Sequence, residues 1–105
     1  MICVTAFYPA AGDSRFDMAY YVDKHMPMVL EVLKPHGLTR LEFDEGVSGF
    51  APGSPPNYKV VARLFFDSME SLQAGLAAAG NQILGDIPNY TDIPVEVQIS
   101  KVVSF

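Results

Sequence analysis

The sequence predicts an α+β domain whose four strands and two helices follow one another in the order βαββαβ. Four short segments rich in β-branched and aromatic residues predict the strands, and two amphipathic segments predict the helices. The length of 105 residues suits one domain, which we expect to span residues 1–105. Half of the residues are hydrophobic, which excludes a disordered chain and exceeds what a small monomer easily buries, so we expect a partner chain.

The first strand and the first helix occupy the N-terminal third of the chain. Residues 1–8 are β-branched and aromatic, which predicts a strand. Ser14 and Asp17 form an approximate capping box, which predicts the start of a helix. Pro27 is expected to kink this helix, and residues 35–37 are expected to end it. Apolar residues recur at spacings of three and four on one predicted helical face: Ala19, Val22, Met26, Val29 and Leu33.

The remaining elements follow from alternation and capping patterns. A capping pattern at Asp67 predicts a second helix over residues 68–79. Leu72 and Leu76 are expected to face inward, and Gly80 is expected to end the helix, with residues 81–85 consistent with one further helical turn. Alternating apolar and polar residues predict the other three strands, at residues 38–45, 58–66 and 95–103.

This order is that of the ferredoxin-like fold, a four-stranded antiparallel sheet with both helices on one face. In the third strand, every second residue from Tyr58 to Phe66 is expected to face the helices. A helix-free face of mixed character is expected to pack on the sheet of a second copy, giving a homodimer. The alternative is a solvated face with scattered apolar residues. This face carries apolar side chains beside charged ones: Phe7, Lys59, Val61, Arg63 and Phe65.

The most unusual tract is residues 20–28, where a histidine stands between two tyrosines and a proline. On an ideal helix, His25 lies at the border of the apolar stripe, one turn from Tyr21. An imidazole transfers protons near neutral pH, and Tyr20 or Tyr21 would orient it or bind a substrate oxygen. The alternative is structural, with His25 donating one hydrogen bond to a backbone carbonyl and completing the helix face.

A second tract, residues 83–94, forms a long proline-punctuated loop before the last strand. Asp86 and Asp92 are as consistent with turn or cap residues as with catalytic groups. The loop either closes a pocket at the helix–sheet edge or acts as an arm on a partner subunit. The arm is the preferred interpretation because apolar residues alternate with turn formers: Ile87, Tyr90 and Ile93.

Composition excludes several classes of ligand and partner. Twelve acidic and seven scattered basic residues give a net charge of −5, so we expect neither nucleic-acid nor membrane binding. No apolar run approaches the ~18 residues that cross a bilayer. Cys3 is the single cysteine, which suits a reducing cytoplasm. The spacing of His25 and His36 matches no familiar metal-ligand pattern, and no nucleotide fingerprint occurs, so we expect no metal and no cofactor.

Several short motifs together match one known family over nearly the whole chain. They are Tyr8-Pro9, Phe16-Asp17, Tyr20-Tyr21, His25-Met26-Pro27, Phe66-Asp67-Ser68 with Glu70, Ile83-Leu84, and residues 86–92. At these positions the chain resembles the EthD family, named for ethyl tert-butyl ether degradation. The resemblance implies a dimeric α/β barrel formed by two helix-free sheet faces. It also implies a helix–sheet pocket faced by His25 as general acid or base, with Tyr20, Tyr21 and Tyr58 as substrate-binding residues.

The function implied by the resemblance is that of a cofactor-independent catabolic enzyme or accessory protein acting on a small organic molecule. Relatives in the wider superfamily include cofactor-free monooxygenases and isomerases. We therefore expect oxidation, isomerisation or lyase-type chemistry, with His25 as the proton-transfer residue. Two alternatives stay open, a non-catalytic metabolite-binding or stress-type dimer and haem binding through His25.

Overall fold

The computed structural model describes residues 1–10 and 12–105 and has the predicted order of strands and helices. Its elements are β1 (Ile2–Pro9), α1 (Met18–Tyr20), a π-helical turn (Tyr21–His25), α2 (Met26–Leu33), a 3₁₀ turn (Lys34–His36), β2 (Leu38–Glu45), β3 (Tyr58–Phe66), α3 (Met69–Asp86), a second 3₁₀ turn (Ile87–Asn89) and β4 (Glu96–Lys101). The strands form one antiparallel sheet in the order β2-β3-β1-β4, which is the ferredoxin-like topology. No helix in the described ranges is long and apolar enough to cross a membrane.

The first helical segment changes its winding in the middle. Asp17, not Ser14, is the N-cap, and its carboxylate accepts a hydrogen bond from the Tyr20 amide at 3.1 Å. The chain then makes the π-helical turn Tyr21–His25, directly before Pro27 in the first turn of α2. Proline lacks an amide hydrogen and crowds the carbonyl four residues before it. The wider turn at this point therefore accommodates Pro27 inside a continuous helical segment.

The π-helical turn moves the buried face of this segment by one residue. After the turn, Val29 and Leu33 are buried as predicted. Within the turn, the buried positions are Tyr21 and His25, while Val22 is about half exposed. Because a π-helical turn contains more residues than an α-helical turn, the positions before it rotate relative to those after it. The predicted apolar face was wrong in its first half, and His25 lies in the core instead of at its border.

The second predicted helix, α3, is longer than expected. Ser68 is its N-cap, and its hydroxyl accepts a hydrogen bond from the amide three residues further on at 3.1 Å. Leu72 is buried as predicted, whereas Leu76 is 43% exposed. Gly80 does not end the helix, because a single glycine costs a helix interior only about 1 kcal/mol and neighbouring contacts offset this. The helix therefore continues to Asp86, whose carboxylate reaches the first helical segment.

Two apolar clusters fill the space between the helices and the sheet. Tyr90 and Ile93 are buried in this chain's own core and tied to it by a bridge between Phe16 and Thr91. The interpretation of residues 83–94 as an arm on a partner subunit was therefore wrong for these two side chains. The first cluster is mostly aliphatic and contains Val4, Val29, Leu33, Leu38, Phe66, Leu72 and Ala79. The second is mostly aromatic and contains Tyr8, Tyr21, Val60, Tyr90 and Ile93.

Candidate active site

A cavity of about 320 Å³ lies between the helices and the sheet. Its exposed side lies between β4 and α3, where Val97 of β4 and Leu84 of α3 line the cavity and are both more than half exposed. Among the described residues, the wall contains no Asp, Glu, Lys or Arg. The residues of the wall that carry polar side-chain atoms are Tyr8, Tyr21 and His25. The cavity is thus suited to an uncharged apolar molecule that meets a few polar atoms at one end.

His25 ends the π-helical turn, and its ring enters the core, where the residue is only 4% exposed. The ring stacks on that of Tyr21, with the ring centroids 5.5 Å apart. His25 Nδ1 lies 2.8 Å from Oδ2 of Asp86, and Nε2 lies 3.4 Å from the hydroxyl of Tyr90. Both ring nitrogens therefore have hydrogen-bond partners, and the imidazole is held in one orientation.

The carboxylate of Asp86 is the hydrogen-bond acceptor for a group of neighbouring side chains. Its Oδ1 accepts hydrogen bonds from the Tyr20 hydroxyl at 2.6 Å and from the Asn89 side-chain amide at 2.9 Å. Burial acts to raise the pKa of Asp86, but the hydrogen bonds from Tyr20, Asn89 and His25 outweigh it and lower the pKa. Asp86 is therefore an anion at neutral pH, and its Oδ2 can only accept the hydrogen bond that joins it to His25 Nδ1.

Tyr21 and Tyr90 pack against the imidazole, and Tyr8 is hydrogen-bonded to Tyr90. The hydroxyls of Tyr8 and Tyr90 are 2.7 Å apart, and the rings of Tyr21 and Tyr90 are also in contact, with centroids 5.0 Å apart. Burial raises the pKa of Tyr8, Tyr21 and Tyr90 above the ordinary tyrosine value. All three therefore keep their hydroxyl hydrogens at neutral pH and are available as hydrogen-bond donors.

The loop that carries Tyr90 is attached to the N-terminal part of the chain through Arg15. The Arg15 guanidinium donates to the carbonyl of Pro88 at 2.8 Å, and its backbone amide donates to Asp92 Oδ1 at 2.9 Å. The hydroxyl of Thr91 donates to the Arg15 carbonyl at 2.6 Å. Asp92 is therefore a loop anchor, and these bonds fix the position of Tyr90 beside His25.

The structure brings together three of the four residues expected at the site. His25 and Tyr21 line the cavity, and Tyr20 binds Asp86 behind the imidazole. Tyr58 lies elsewhere, with its ring 5.1 Å from that of Phe7, and is not part of the cavity wall.

Sequence reasoning missed Tyr8 and Tyr90 and left Asp86 undecided. The tract 83–94 did draw attention to Asp86. Because the second helix was expected to end at Gly80, Asp86 was placed in a loop and not at the end of a helix. Within the described ranges, no group of three His, Cys, Asp or Glu residues is placed to hold a metal ion.

The fold and the site define a ferredoxin-like protein with an apolar helix–sheet cavity and a buried histidine–aspartate pair at its wall. Residues 13–94 match the family model of the EthD domain, and the chain therefore belongs to the EthD family. The search among curated proteins found no significant match.

Solved structures agree with this assignment. An EthD-like protein from Ralstonia eutropha is 42% identical with a TM-score of 0.91, and the match covers 98% of this chain and 92% of that chain. An EthD family protein from Bacillus halodurans is 20% identical with a TM-score of 0.76, covering 98% and 99%. A dimeric ferredoxin-like protein from an uncultured marine organism is 12% identical with a TM-score of 0.65, covering 100% and 97%. The last two similarities concern the fold alone.

Proposed function

We propose that this EthD family member is a cofactor-independent catabolic protein for a small organic compound, as an enzyme or an enzyme accessory. The ligand would occupy the helix–sheet cavity, and His25 would transfer a proton in an oxidation, isomerisation or lyase-type reaction. The observation that carries the proposal is the placement of His25, a buried imidazole held by Asp86 at the wall of an apolar cavity. Perturbed titratable groups beside a cavity are typical of functional sites.

The walls of the cavity favour a neutral ligand. Among the described residues, none of the lining side chains carries a fixed charge, so a carboxylate or phosphate placed there would lose its hydration without gaining a counter-ion. The net charge of −5 also opposes the approach of anions. We therefore expect uncharged, largely apolar compounds to bind.

Asp86 would support proton transfer by His25 in two ways. Its Oδ2 accepts the Nδ1 hydrogen of the imidazole, which leaves Nε2 as the basic nitrogen. Once Nε2 takes a proton, the adjacent carboxylate stabilises the imidazolium. The apolar surroundings limit the access of water, which strengthens this interaction.

A first experiment tests the cavity with the neutral dye Nile red, whose fluorescence rises in apolar surroundings. Val97→Trp should narrow the exposed side of the cavity and lower the affinity for the dye, since Val97 lines the cavity and is 56% exposed. Val103→Trp is the matched control, because Val103 is also exposed and does not line the cavity. Equal loss of binding in both variants, or in neither, would contradict the proposed site.

A second experiment tests His25. Neutral ethers, ketones and phenols that displace Nile red are incubated with the protein, and their consumption is followed by mass spectrometry. His25→Gln should abolish consumption while retaining dye binding, since glutamine cannot act as a base. His36→Gln is the matched control, because His36 lies in the 3₁₀ turn outside the cavity wall. Undiminished turnover by His25→Gln would refute the role of His25.

A non-catalytic metabolite-binding or stress-type protein is the second candidate, favoured by the nearly uniform apolar wall of the cavity. In that case no displacing compound is consumed, and His25→Gln changes affinity only modestly. Haem binding through His25 has less support, because Asp86 and Tyr90 engage both ring nitrogens. A haem titration without a Soret shift would dismiss it.

We also propose that the protein is a homodimer, joined through the helix-free faces of two sheets, in a reducing cytoplasm. On this face Val61 and Phe65 are only partly buried within the chain. Arg63 pairs with Glu42 at 2.8 Å and with Asp44 at 2.9 Å, so much of the charge is already neutralised. Such a face is suited to sheet-on-sheet packing.

Light scattering tests this assembly. The protein should have twice the 11.5 kDa mass of the chain at micromolar concentration. Val61→Asp should convert it to a monomer, because each copy would then place an unpaired carboxylate in the buried interface. Val22→Asp, on the outer side of the first helical segment, should leave the mass unchanged. A monomeric parent protein would contradict the proposal.

A further inference from the structure

A row of hydrogen-bonded side chains connects the carboxylate of Asp86 to the wall of the cavity. Asp86 Oδ2 is 2.8 Å from His25 Nδ1, and His25 Nε2 is 3.4 Å from the hydroxyl of Tyr90. The Tyr90 hydroxyl is 2.7 Å from that of Tyr8. Tyr8 lines the cavity, whereas Tyr90 lies behind it and is completely buried. The row therefore has one end near the surface, at Asp86, and the other in the cavity, at Tyr8.

The direction of every hydrogen bond in this row is set by its acidic end. Ionised Asp86 accepts only, so a neutral His25 donates from Nδ1 and has a lone pair on Nε2. Tyr90 must then donate to Nε2, and its oxygen accepts from Tyr8. The hydroxyl hydrogen of Tyr8 is therefore donated to Tyr90 and not to a ligand. The Tyr8 oxygen is left to accept a hydrogen bond from a molecule in the cavity, which Tyr8 lines.

We propose that Tyr8 is the residue that contacts the polar group of the ligand, and that the ligand is a neutral apolar compound bearing a hydroxyl hydrogen, such as a phenol or an enol. This inference rests on the proposed function and specifies its substrate class. It follows from the accepting end of the row, because an ether or ketone has no hydrogen to offer to Tyr8. It also assigns Tyr90 as a positioning and relay residue between Tyr8 and His25.

The same row of side chains would carry a proton from the ligand to His25. The O–H bond of the ligand breaks, and its hydrogen passes to the oxygen of Tyr8. The former hydrogen of Tyr8 moves to Tyr90, and that of Tyr90 moves to Nε2 of His25. The products are the ligand anion and an imidazolium paired with Asp86, while both tyrosines end as neutral hydroxyls. The 3.4 Å separation between Tyr90 and Nε2 is long, and it would shorten when the ligand binds.

Affinity for a matched pair of probes tests the contact at Tyr8. 4-Nitrophenol donates a hydrogen bond, whereas 4-nitroanisole has the same apolar body with a methyl ether. The parent protein should prefer the phenol about fivefold, the value of one hydrogen bond of net strength ~1 kcal/mol. Tyr8→Phe should remove the preference, and Tyr58→Phe, outside the cavity wall, should retain it. Equal affinities of the parent protein for both probes would overturn the inference.

The colour of the bound phenol tests the relay. The 4-nitrophenolate anion absorbs in the visible, and the acidity of 4-nitrophenol is close to that of imidazole. At a pH just below the pKa of the free probe, binding to the parent protein should increase the anion absorbance. Tyr90→Phe should still bind the phenol but lose this increase, which a purely structural role of Tyr90 would not produce. An unchanged increase in Tyr90→Phe would refute the relay.

His25→Gln separates this inference from the proposed function. One outcome is that the increase in anion absorbance disappears in His25→Gln and yet persists in both Tyr8→Phe and Tyr90→Phe. In that case His25 takes the proton directly from the ligand, and the inference fails while the proposed function stands. If neither probe binds the parent protein, the cavity site and the inference both fail. Tyr8→Phe alone removes a hydrogen-bond partner of the buried Tyr90 hydroxyl, which costs stability. The double variant Tyr8→Phe/Tyr90→Phe removes both hydroxyls and should fold even if the single variant does not. It too should show neither preference nor colour.

Discussion

Replacing Asp86 with Asn should destabilise the protein at neutral pH and much less in acid. The carboxylate accepts hydrogen bonds from Tyr20, Asn89 and His25 at 2.6, 2.9 and 2.8 Å. An amide has one oxygen and one NH₂ group, so one of the two accepting oxygens is replaced by a donor and the negative charge is lost. Hydrogen bonds to charged groups contribute about 1.5–3 kcal/mol each. Because the Asp86 side chain is 17% exposed and water compensates in part, we expect a net loss of about 1–2 kcal/mol.

The pH dependence follows from the lowered pKa of Asp86. A carboxyl whose pKa is lower in the folded protein stabilises it above the ordinary value, here 3.8. That contribution is lost as the pH falls through the lower, folded-state pKa. The asparagine variant has no such titration. The gap in the free energy of unfolding between parent and variant should therefore be full at neutral pH and should narrow as the pH falls below 3.8.

Urea unfolding followed by circular dichroism measures this gap. It is recorded at neutral pH and down to the lowest pH at which both proteins fold. Asp23→Asn is the matched control, since Asp23 is an exposed carboxyl in the π-helical turn that carries His25, and it should change stability by less than about 0.5 kcal/mol. A neutral-pH gap no larger than that of the control, or a gap that stays constant in acid, would refute the role assigned to the carboxylate.

Further predictions concern stability, each checked by thermal or urea unfolding unless stated. Gly37→Ala should cost about 2 kcal/mol, because φ is +89° and a Cβ would lie 2.9 Å from a neighbouring serine side chain. Gly85→Ala, with open space around it, should stabilise by about 0.5–1 kcal/mol; a loss there would contradict the helical reasoning. Leu72→Ala should cost about 2–5 kcal/mol and the half-exposed Leu76→Ala under about 1 kcal/mol, so equal losses would contradict the assigned burial. Arg15→Ala should accelerate amide exchange in the loop that carries Tyr90, and unchanged exchange would contradict its anchoring role.

The local patterns of the chain were sufficient to predict the sheet. The strands at residues 38–45 and 58–66 have the predicted bounds, because alternation and flanking turn residues are visible within a few positions. The helices were harder. A π-helical turn has no simple signature in the sequence, so periodicity placed Val22 in the core where Tyr21 and His25 lie. In α3, Gly80 was expected to end the helix. The helix continues through it because this part of α3 is buried against the rest of the protein.

What the sequence by itself determined is the order of the elements, the ferredoxin-like fold and the family, and it singled out His25 as a candidate site residue. Only the tertiary structure decided which groups contact His25. Asp86 and Tyr90 are 61 and 65 residues away along the chain, and neither spacing carries a periodic signal. Their approach to His25 depends on the added length of α3, the rotation imposed by the π-helical turn and the return of the 83–94 loop. These are properties of packing between distant segments, which no local pattern encodes.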